Sequence, residues 1–233
     1  MITILIVTYD RPAEIRRTID ALREHIHYSG ELRWHIADDG TPGNYIAELI
    51  RDYPTLKFTV TVTSHLGWGA NVNKALQHTQ MSDLIFLCED DYVATRSLDF
   101  DAGAALLTTH TELGIVRYDG IVGHNGLNLW LREAKTEQGV VPYLKIDRNQ
   151  STHLNIYSNR PHLRHRRLHD ALGLYSEGVS LGITEEGYAH RVLDKKDALG
   201  FAVLLDGLWN AFDHIGKSRQ GTELDSNFRV SKE

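Results

Sequence analysis

The hydrophobic pattern of the first ninety residues alternates between strand-like and helix-like stretches. Ile2 to Thr8 is a nearly unbroken apolar run, the pattern of a strand covered on both faces. Tyr9-Asp10-Arg11-Pro12 interrupts it. Pro12 suits the first turn of a helix, along which Ile15, Ile19, Leu22 and Ile26 recur at helical spacing. Leu32 to Ala37 reads as a second strand, stopped by Asp38-Asp39-Gly40-Thr41-Pro42-Gly43, and Tyr45 to Tyr53 as a helix. Lys57 to Thr63 alternates and is β-branched, hence a strand. Leu66-Gly67-Trp68-Gly69 leads into a helix over Ala70 to Thr79, and Leu84 to Cys88 is a fourth buried strand. Strands and helices in strict alternation predict a parallel sheet with helices on both faces.

The second half is less regular. Leu113 to Arg117, Gly123 to Leu131, Gly139 to Ile146 and Gly200 to Leu205 read as strands. Pro161 to Leu172, dense in His and Arg, reads as a helix, and so does Thr184 to Leu193. A polar tail follows Gly216. Nothing resembles a linker, a repeat or a low-complexity segment, so residues 1–112 and 113–233 are expected to pack as one domain.

Composition then excludes several functions. The net charge of -6 argues against a general nucleic-acid binder and confines any such contact to a local patch. No apolar run approaches the roughly 20 residues that span a bilayer, and the apolar start is uncharged and short for a signal peptide. Cys88 is the only cysteine, so no intrachain disulfide or cysteine-based zinc site can form; a cytoplasmic setting is expected.

In open α/β sheets, ligands collect at the carboxyl ends of the strands. Three polar clusters fall there: Thr8-Tyr9-Asp10-Arg11, Asp38-Asp39-Gly40 and Glu89-Asp90-Asp91. Three adjacent carboxylates repel one another unless a cation relieves them. Fixed on a strand end, they offer hard oxygen ligands suited to Mg²⁺ or Mn²⁺; the alternative is a solvated acidic turn. Neither a Walker loop nor GxGxxG is present.

Taken in order, "ILIVTYDRP", "IADDGTPG", "HLGWGANVNKAL" and "DLIFLCEDDYVA" resemble the motifs of family 2 glycosyltransferases. The resemblance implies an α/β GT-A (nucleotide-diphospho-sugar transferase) fold with a mostly parallel central sheet. Residues 1–112 would bind the nucleotide sugar and 113–233 the acceptor. It implies that Thr8, Tyr9, Arg11, Asp38, Asp39, Asn71 and Asp90 contact the donor, with His65 standing where the family usually has Asn. Asp91 would hold the metal, with Glu89 as the first acid of the motif. "GITEEGYAHRVL" is similar to the family's catalytic-base motif, which implies Glu186 as the base, with Glu185 the alternative; helix-start acids stabilised by the helix dipole are the plainer reading. "WNAFDHIGKSRQG" resembles the carboxyl-terminal histidine motif, in which His214 completes the metal site. Lys217 and Arg219 would then meet the diphosphate. The implied reaction is inverting, metal-dependent, non-processive transfer from a UDP-, GDP- or dTDP-sugar to a hydroxyl.

One local anomaly points toward the acceptor. "SNRPHLRHRRLHDALG" carries four arginines in an acidic chain. On a helix, Arg160, Arg164 and Arg167 would form a stripe. It would be either a solvated, ion-paired face or a surface for an anionic acceptor: an acidic glycan, a lipid-linked sugar or a modified DNA base. The rival functions are a nucleotidyltransferase, which would show glycines after the first strand, and a GT-A-fold binding module without turnover. A metallohydrolase on His162, His165 and His169 is a third, opposed by the neighbouring Arg164, Arg166 and Arg167. Donor hydrolysis with and without metal separates an enzyme from a binding module.

Overall fold

Strand β1 (Ile2–Thr8) divides its side chains between two cores. Ile2, Ile4 and Ile6 enter one, Leu5 and Val7 the other, and all five are buried. This is why the run shows no polar alternation. The computed structural model describes residues 1–78, 82–118, 128–137, 139–147, 156–194, 199–204 and 211–216. The expected strand over Gly123 to Leu131 lies partly outside them, as do Lys217 and Arg219.

Among the described residues, β1 lies within a nine-stranded sheet. The other members are β3 (Leu32–Asp38), β4 (Thr59–Val62), β5 (Leu84–Glu89), β8 (Leu113–Arg117), β9 (Asn128–Thr136), β10 (Gly139–Asp147), β11 (His162–His165) and β12 (Gly200–Leu204). The order is β4-β3-β1-β5-β11-β8-β12-β10-β9. Strands β4, β3, β1 and β5 are mutually parallel, as the first half predicts. Beyond them the sheet is mixed: β11 runs antiparallel to β5 and β8, and β10 antiparallel to β12 and β9. One sheet thus draws strands from both sides of residue 112.

Helices cover both faces. Helices α1 (Pro12–His25), α2 (Tyr45–Asp52) and α4 (Phe100–Thr109) pack on one face, through Ile15, Ile19, Leu49, Phe100 and Leu107. Helices α3 (Trp68–His78), α5 (Arg167–Leu172) and α6 (Leu181–Asp194) pack on the other, through Val72, Leu168, Tyr188 and Val192. Asp99 caps α4 by accepting from the Ala102 N–H at 2.8 Å. Two short ladders complete the fold. Strand β2 (Ile26–His27) pairs with β7 (Leu98–Asp99). Strand β6 (Tyr92–Ala94) pairs antiparallel with β13 (Phe212–His214), setting His214 opposite Tyr92.

The helix expected over Pro161 to Leu172 is instead strand β11 followed by α5. Leu163 pairs with Phe86 and Val116, which places β11 inside the sheet. Arg164 is fully buried, with Nη1 donating to the Tyr175 hydroxyl at 2.5 Å. Arg167 spends its guanidinium on the carbonyls of Leu107 and Leu113. Arg164 and Arg167 therefore form no surface stripe, and the acceptor role expected of them has no geometric basis. Nor does one helix face carry His162, His165 and His169, since two sit in β11 and one in α5.

Two buried histidines make the fold sensitive to acid. Burial, reinforced by the nearby Arg164, pushes His162 down to about 3, and burial with His78 nearby pushes His35 down to about 4. Below the ordinary value of 6.5 the unfolded chain takes up protons that the folded chain refuses. The stability from neutral burial is therefore complete above about pH 6.5 and is lost as pH falls toward 4 and then 3. Unfolding free energy should rise between about pH 5 and 6.5, each histidine contributing up to about 1.4 kcal/mol per pH unit. Denaturant titrations of His162→Gln should show a flatter slope over that window; a slope unchanged from wild type contradicts the neutral assignment.

Candidate functional site

The carboxyl ends of β1, β3 and β5 meet around the acidic triplet. The turn N–H groups tie these ends together: Asp39 donates to the Thr8 carbonyl at 3.0 Å, and Asp90 to the Val7 carbonyl at 3.0 Å. Asp90 is buried and accepts from the Thr8 hydroxyl at 2.7 Å, the Tyr9 N–H at 3.4 Å and the Arg11 guanidinium at 3.2 Å. Tyr45 hydrogen-bonds the Thr8 hydroxyl at 2.9 Å, and Thr18 donates to the Asp90 carbonyl at 2.7 Å. Burial pushes the Asp90 carboxyl up to about 6, against the Thr8 hydrogen bond and the Arg11 charge, which favour ionisation.

Asp91 is also buried. Its Oδ2 meets the Arg11 guanidinium and lies 3.1 Å from His214 Nε2, while its Oδ1 is buried with no hydrogen-bond partner. The β6–β13 ladder delivers His214. Ile215 N–H donates to the Asp91 carbonyl at 2.8 Å, and the His214 ring stacks on Tyr92 at 4.8 Å. A Cβ on Gly216 would fall on the Asp91 carboxylate, so only glycine lets this backbone approach so closely.

Glu89 stands apart from this pair. Among the described residues no three His, Cys, Asp or Glu side chains cluster as a metal site, and Glu89 is not gathered with Asp91 and His214 in this arrangement. The residue is partly covered overall, but its Oε1 is buried and without a partner. Burial first, then the charges of Asp91, Asp90 and Glu185, push its carboxyl up to about 8. Asp91 and His214 alone suit a Mg²⁺- or Mn²⁺-type ion, which commonly takes one or two protein ligands and completes its shell from phosphate and water. The unpartnered Asp91 Oδ1 fits the same reading.

The two carboxylates of the Asp38-Asp39 turn bond differently, Asp38 within the turn and Asp39 to the stretch after β4. Asp38 accepts from the Thr41 N–H at 3.0 Å and its hydroxyl at 2.5 Å. Asp39 Oδ1 accepts from the Thr63 hydroxyl at 2.5 Å and the Leu66 N–H at 2.8 Å, and Oδ2 from the Gly67 N–H at 3.0 Å. A carboxylate has about four acceptor positions, so Asp39 Oδ2 keeps one for a ligand. His65 stacks on Tyr9 with ring centroids 4.3 Å apart, its Nδ1 3.5 Å from Asp39 Oδ2. Asn71, expected to touch the donor, is fully buried and donates to the Ala37 carbonyl at 2.9 Å; it anchors α3 to β3.

The two candidate bases part company on α6. Glu186 is half exposed, and its nearest ionic partner is His190, one turn on, at 3.6 Å. Glu185 turns inward, accepts from the Asn159 N–H at 2.7 Å and lies close enough to Glu89 to raise its pKa. Sequence reading missed Tyr45, Thr18 and Asn159. Nothing local marks any of them, because each meets its partner only through the fold.

The glycosyl transferase family 2 profile matches residues 3–173. Compared as sequence alone, the chain matches no curated protein. Its structure is similar to that of S. aureus TarS 1–349, solved in complex with UDP-GlcNAc: TM-score 0.65 and 14% identity, over 97% of this chain and 60% of that one. It is similar also to the mannosyltransferase PcManGT from Pyrobaculum calidifontis, solved in complex with GDP-Man and Mn²⁺: TM-score 0.58 and 14% identity, over 94% and 58%. GalNAc-T7, solved with UDP, GalNAc and Mn²⁺, gives TM-score 0.60 and 12% identity, over 90% and 45%. The chain thus spans less than two thirds of each, and the shared feature is the GT-A fold.

If Thr8 positions Asp90, Thr8→Val should cost about 1–3 kcal/mol in denaturant unfolding, because a buried carboxylate loses a donor. Thr8→Ser should recover most of that loss. Equal stability of all three proteins contradicts the assigned geometry.

Proposed function

The chain belongs to glycosyl transferase family 2, and on that premise we propose that it moves a sugar from a nucleoside-diphosphate donor to an acceptor hydroxyl in one inverting, non-processive step. The observation that carries this reading is the meeting of Arg11 and His214 on the buried Asp91 carboxylate, with Glu185 turned inward from α6. A divalent cation held by Asp91 and His214 would supply, when bound, Lewis-acid charge for the diphosphate leaving group. Two structural neighbours are solved with Mn²⁺, which supports that choice of ion.

The protein's own residues do the rest. Arg11, held by Asp90 and Asp91, brings positive charge to the same carboxylate edge, which suits it to meet a phosphate oxygen. Asp39 Oδ2 and the Tyr9–His65 pair flank the place where a base and ribose would lie. Neighbours solved with UDP-GlcNAc and GDP-Man place UDP- and GDP-sugars first among donors to test. Glu185 takes the proton of the attacking hydroxyl, a role that requires a carboxylate on the side of the sugar away from the diphosphate. Among the described residues no helix is long and apolar enough to cross a membrane. A cytoplasmic setting, consistent with the lone buried thiol of Cys88, is part of the proposal.

The test is proton NMR of the sugar released from UDP-GlcNAc and GDP-mannose in the presence of Mn²⁺. The first-formed anomer should be inverted. Glu185→Gln should slow release by about 10²–10⁴-fold, the usual range for a lost general base, while Glu186→Gln stays within about threefold of wild type. Retained configuration contradicts the single displacement, and a dead Glu186→Gln beside an active Glu185→Gln reverses the choice of base.

A further inference from the structure

Arg164 is a buried cation with no carboxylate beside it among the described residues. It is fully covered, and among the described residues its polar partners are the hydroxyls of Tyr175 at 2.5 Å and Tyr188 at 3.4 Å. Its Nε has no partner, and its guanidinium lies 5.5 Å from the Tyr175 ring centroid and 6.0 Å from that of Tyr188. A buried charge that is not paired is expensive and has to be spread through hydrogen bonds.

The hydrogen bonds leading away from Arg164 have a fixed direction. Arg164 Nη1 can only donate, so the Tyr175 oxygen accepts. The Tyr157 hydroxyl donates to Asn159 Oδ1 at 2.9 Å, which uses its single proton. The hydrogen bond between Tyr175 and Tyr157 must then run from the Tyr175 O–H to the Tyr157 oxygen. The protons therefore point in one sense, from Arg164 through Tyr175 and Tyr157 to Asn159. A cation at the head of such a chain polarises each member and strengthens the next bond. Asn159 is buried and its Nδ2 has no partner, so Tyr157 is the side chain that holds its amide. Its backbone N–H, in turn, makes the one hydrogen bond that the Glu185 carboxylate receives among the described residues.

The geometry points to Tyr157 and Asn159 as positioning residues: a polarised relay from buried Arg164 fixes the backbone at Asn159, and that backbone N–H aims the Glu185 carboxylate into the cleft. This rests on the reading of Glu185 as the base. The topology supports it. Strand β11 runs antiparallel to β5, so Asn159, just before it, lies beside the carboxyl end of β5, where Glu89 and the acidic triplet sit. The relay supplies what α6 lacks. Glu185 lies on a helix in a single layer above the sheet, and without the Asn159 N–H its carboxylate would be free to take other rotamers.

A double-mutant cycle tests this, with release of sugar from UDP-GlcNAc or GDP-mannose, whichever the protein turns over, as the readout. Tyr157→Phe should lower kcat by about tenfold, well within the roughly 100-fold that a misplaced group can cost, and leave donor KM within about twofold. Tyr157→Phe combined with Glu185→Gln should be no slower than Glu185→Gln alone, since a residue acting through Glu185 has nothing left to act on. Should Tyr157→Phe fail to fold, Asn159→Ala, which keeps all three tyrosine rings, carries the same cycle. A wild-type kcat in these variants, or losses that multiply with that of Glu185→Gln, overturns the relay. An active Glu185→Gln overturns the base reading instead, and that single-mutant rate alone reveals it.

Discussion

Mutual repulsion of Glu89, Asp90 and Asp91 is the constraint that organises the carboxyl edge of the sheet. Three carboxylates at the end of one buried strand cannot all be ionised without compensation. Each is treated differently. Asp90 is surrounded by the Thr8 hydroxyl, the Tyr9 N–H and Arg11, which ties β1 to β5. Asp91 draws Arg11 from the first turn and His214 from the far end of the described chain. Glu89 is buried at Oε1, and burial together with the charges of Asp91, Asp90 and Glu185 pushes its carboxyl up. The β6–β13 ladder, the glycine at 216 and the Tyr92–His214 stack are all consistent with holding a cationic partner over Asp91.

A second buried charge, Arg164, organises the other half in a similar manner. It sits on β11, the antiparallel strand inserted between β5 and β8, and it gathers Tyr157, Tyr175 and Tyr188 into one cluster. Those tyrosines come from the approach to β11, the stretch after α5, and α6. One guanidinium thereby links the elements that must agree on where Glu185 lies. The acidic edge and the candidate base are therefore set by two separate electrostatic problems, and they meet where the Glu185 charge helps to push up the Glu89 carboxyl.

The parallel half was legible in the sequence because burial on both faces leaves an unmistakable run of apolar residues, as in Ile2 to Thr8 and Leu84 to Cys88. The gathering of Thr8, Arg11, Asp90 and Asp91 at one edge was legible because they end or follow β1 and β5, neighbouring parallel strands. Around β11 the reading failed for a physical reason. His162 and Arg164 look like a solvated helix face, but both are buried in a strand whose neighbours, β5 and β8, lie far off in sequence, which no local pattern encodes. Asn71 stands in the expected motif, but its full burial and the bond from its Nδ2 to the Ala37 carbonyl, which leaves Oδ1 without a partner, come from the fold and not from the motif. Glu185 and Glu186 are adjacent on a helix, and only the placement of Asn159 and His190 separates an inward carboxylate from an outward one.

The claim on which the rest depends is that the Asp91 carboxylate holds the cation that carries a diphosphate. Titration calorimetry of UDP and GDP, with Mn²⁺ and with a chelator, measures this directly. Mn²⁺ should tighten nucleotide binding to the wild-type protein by about tenfold or more, about 1.4 kcal/mol, and should leave Asp91→Asn nearly unchanged. Equal affinity with Mn²⁺ and with chelator in the wild type, or a full Mn²⁺ effect in Asp91→Asn, would contradict the account.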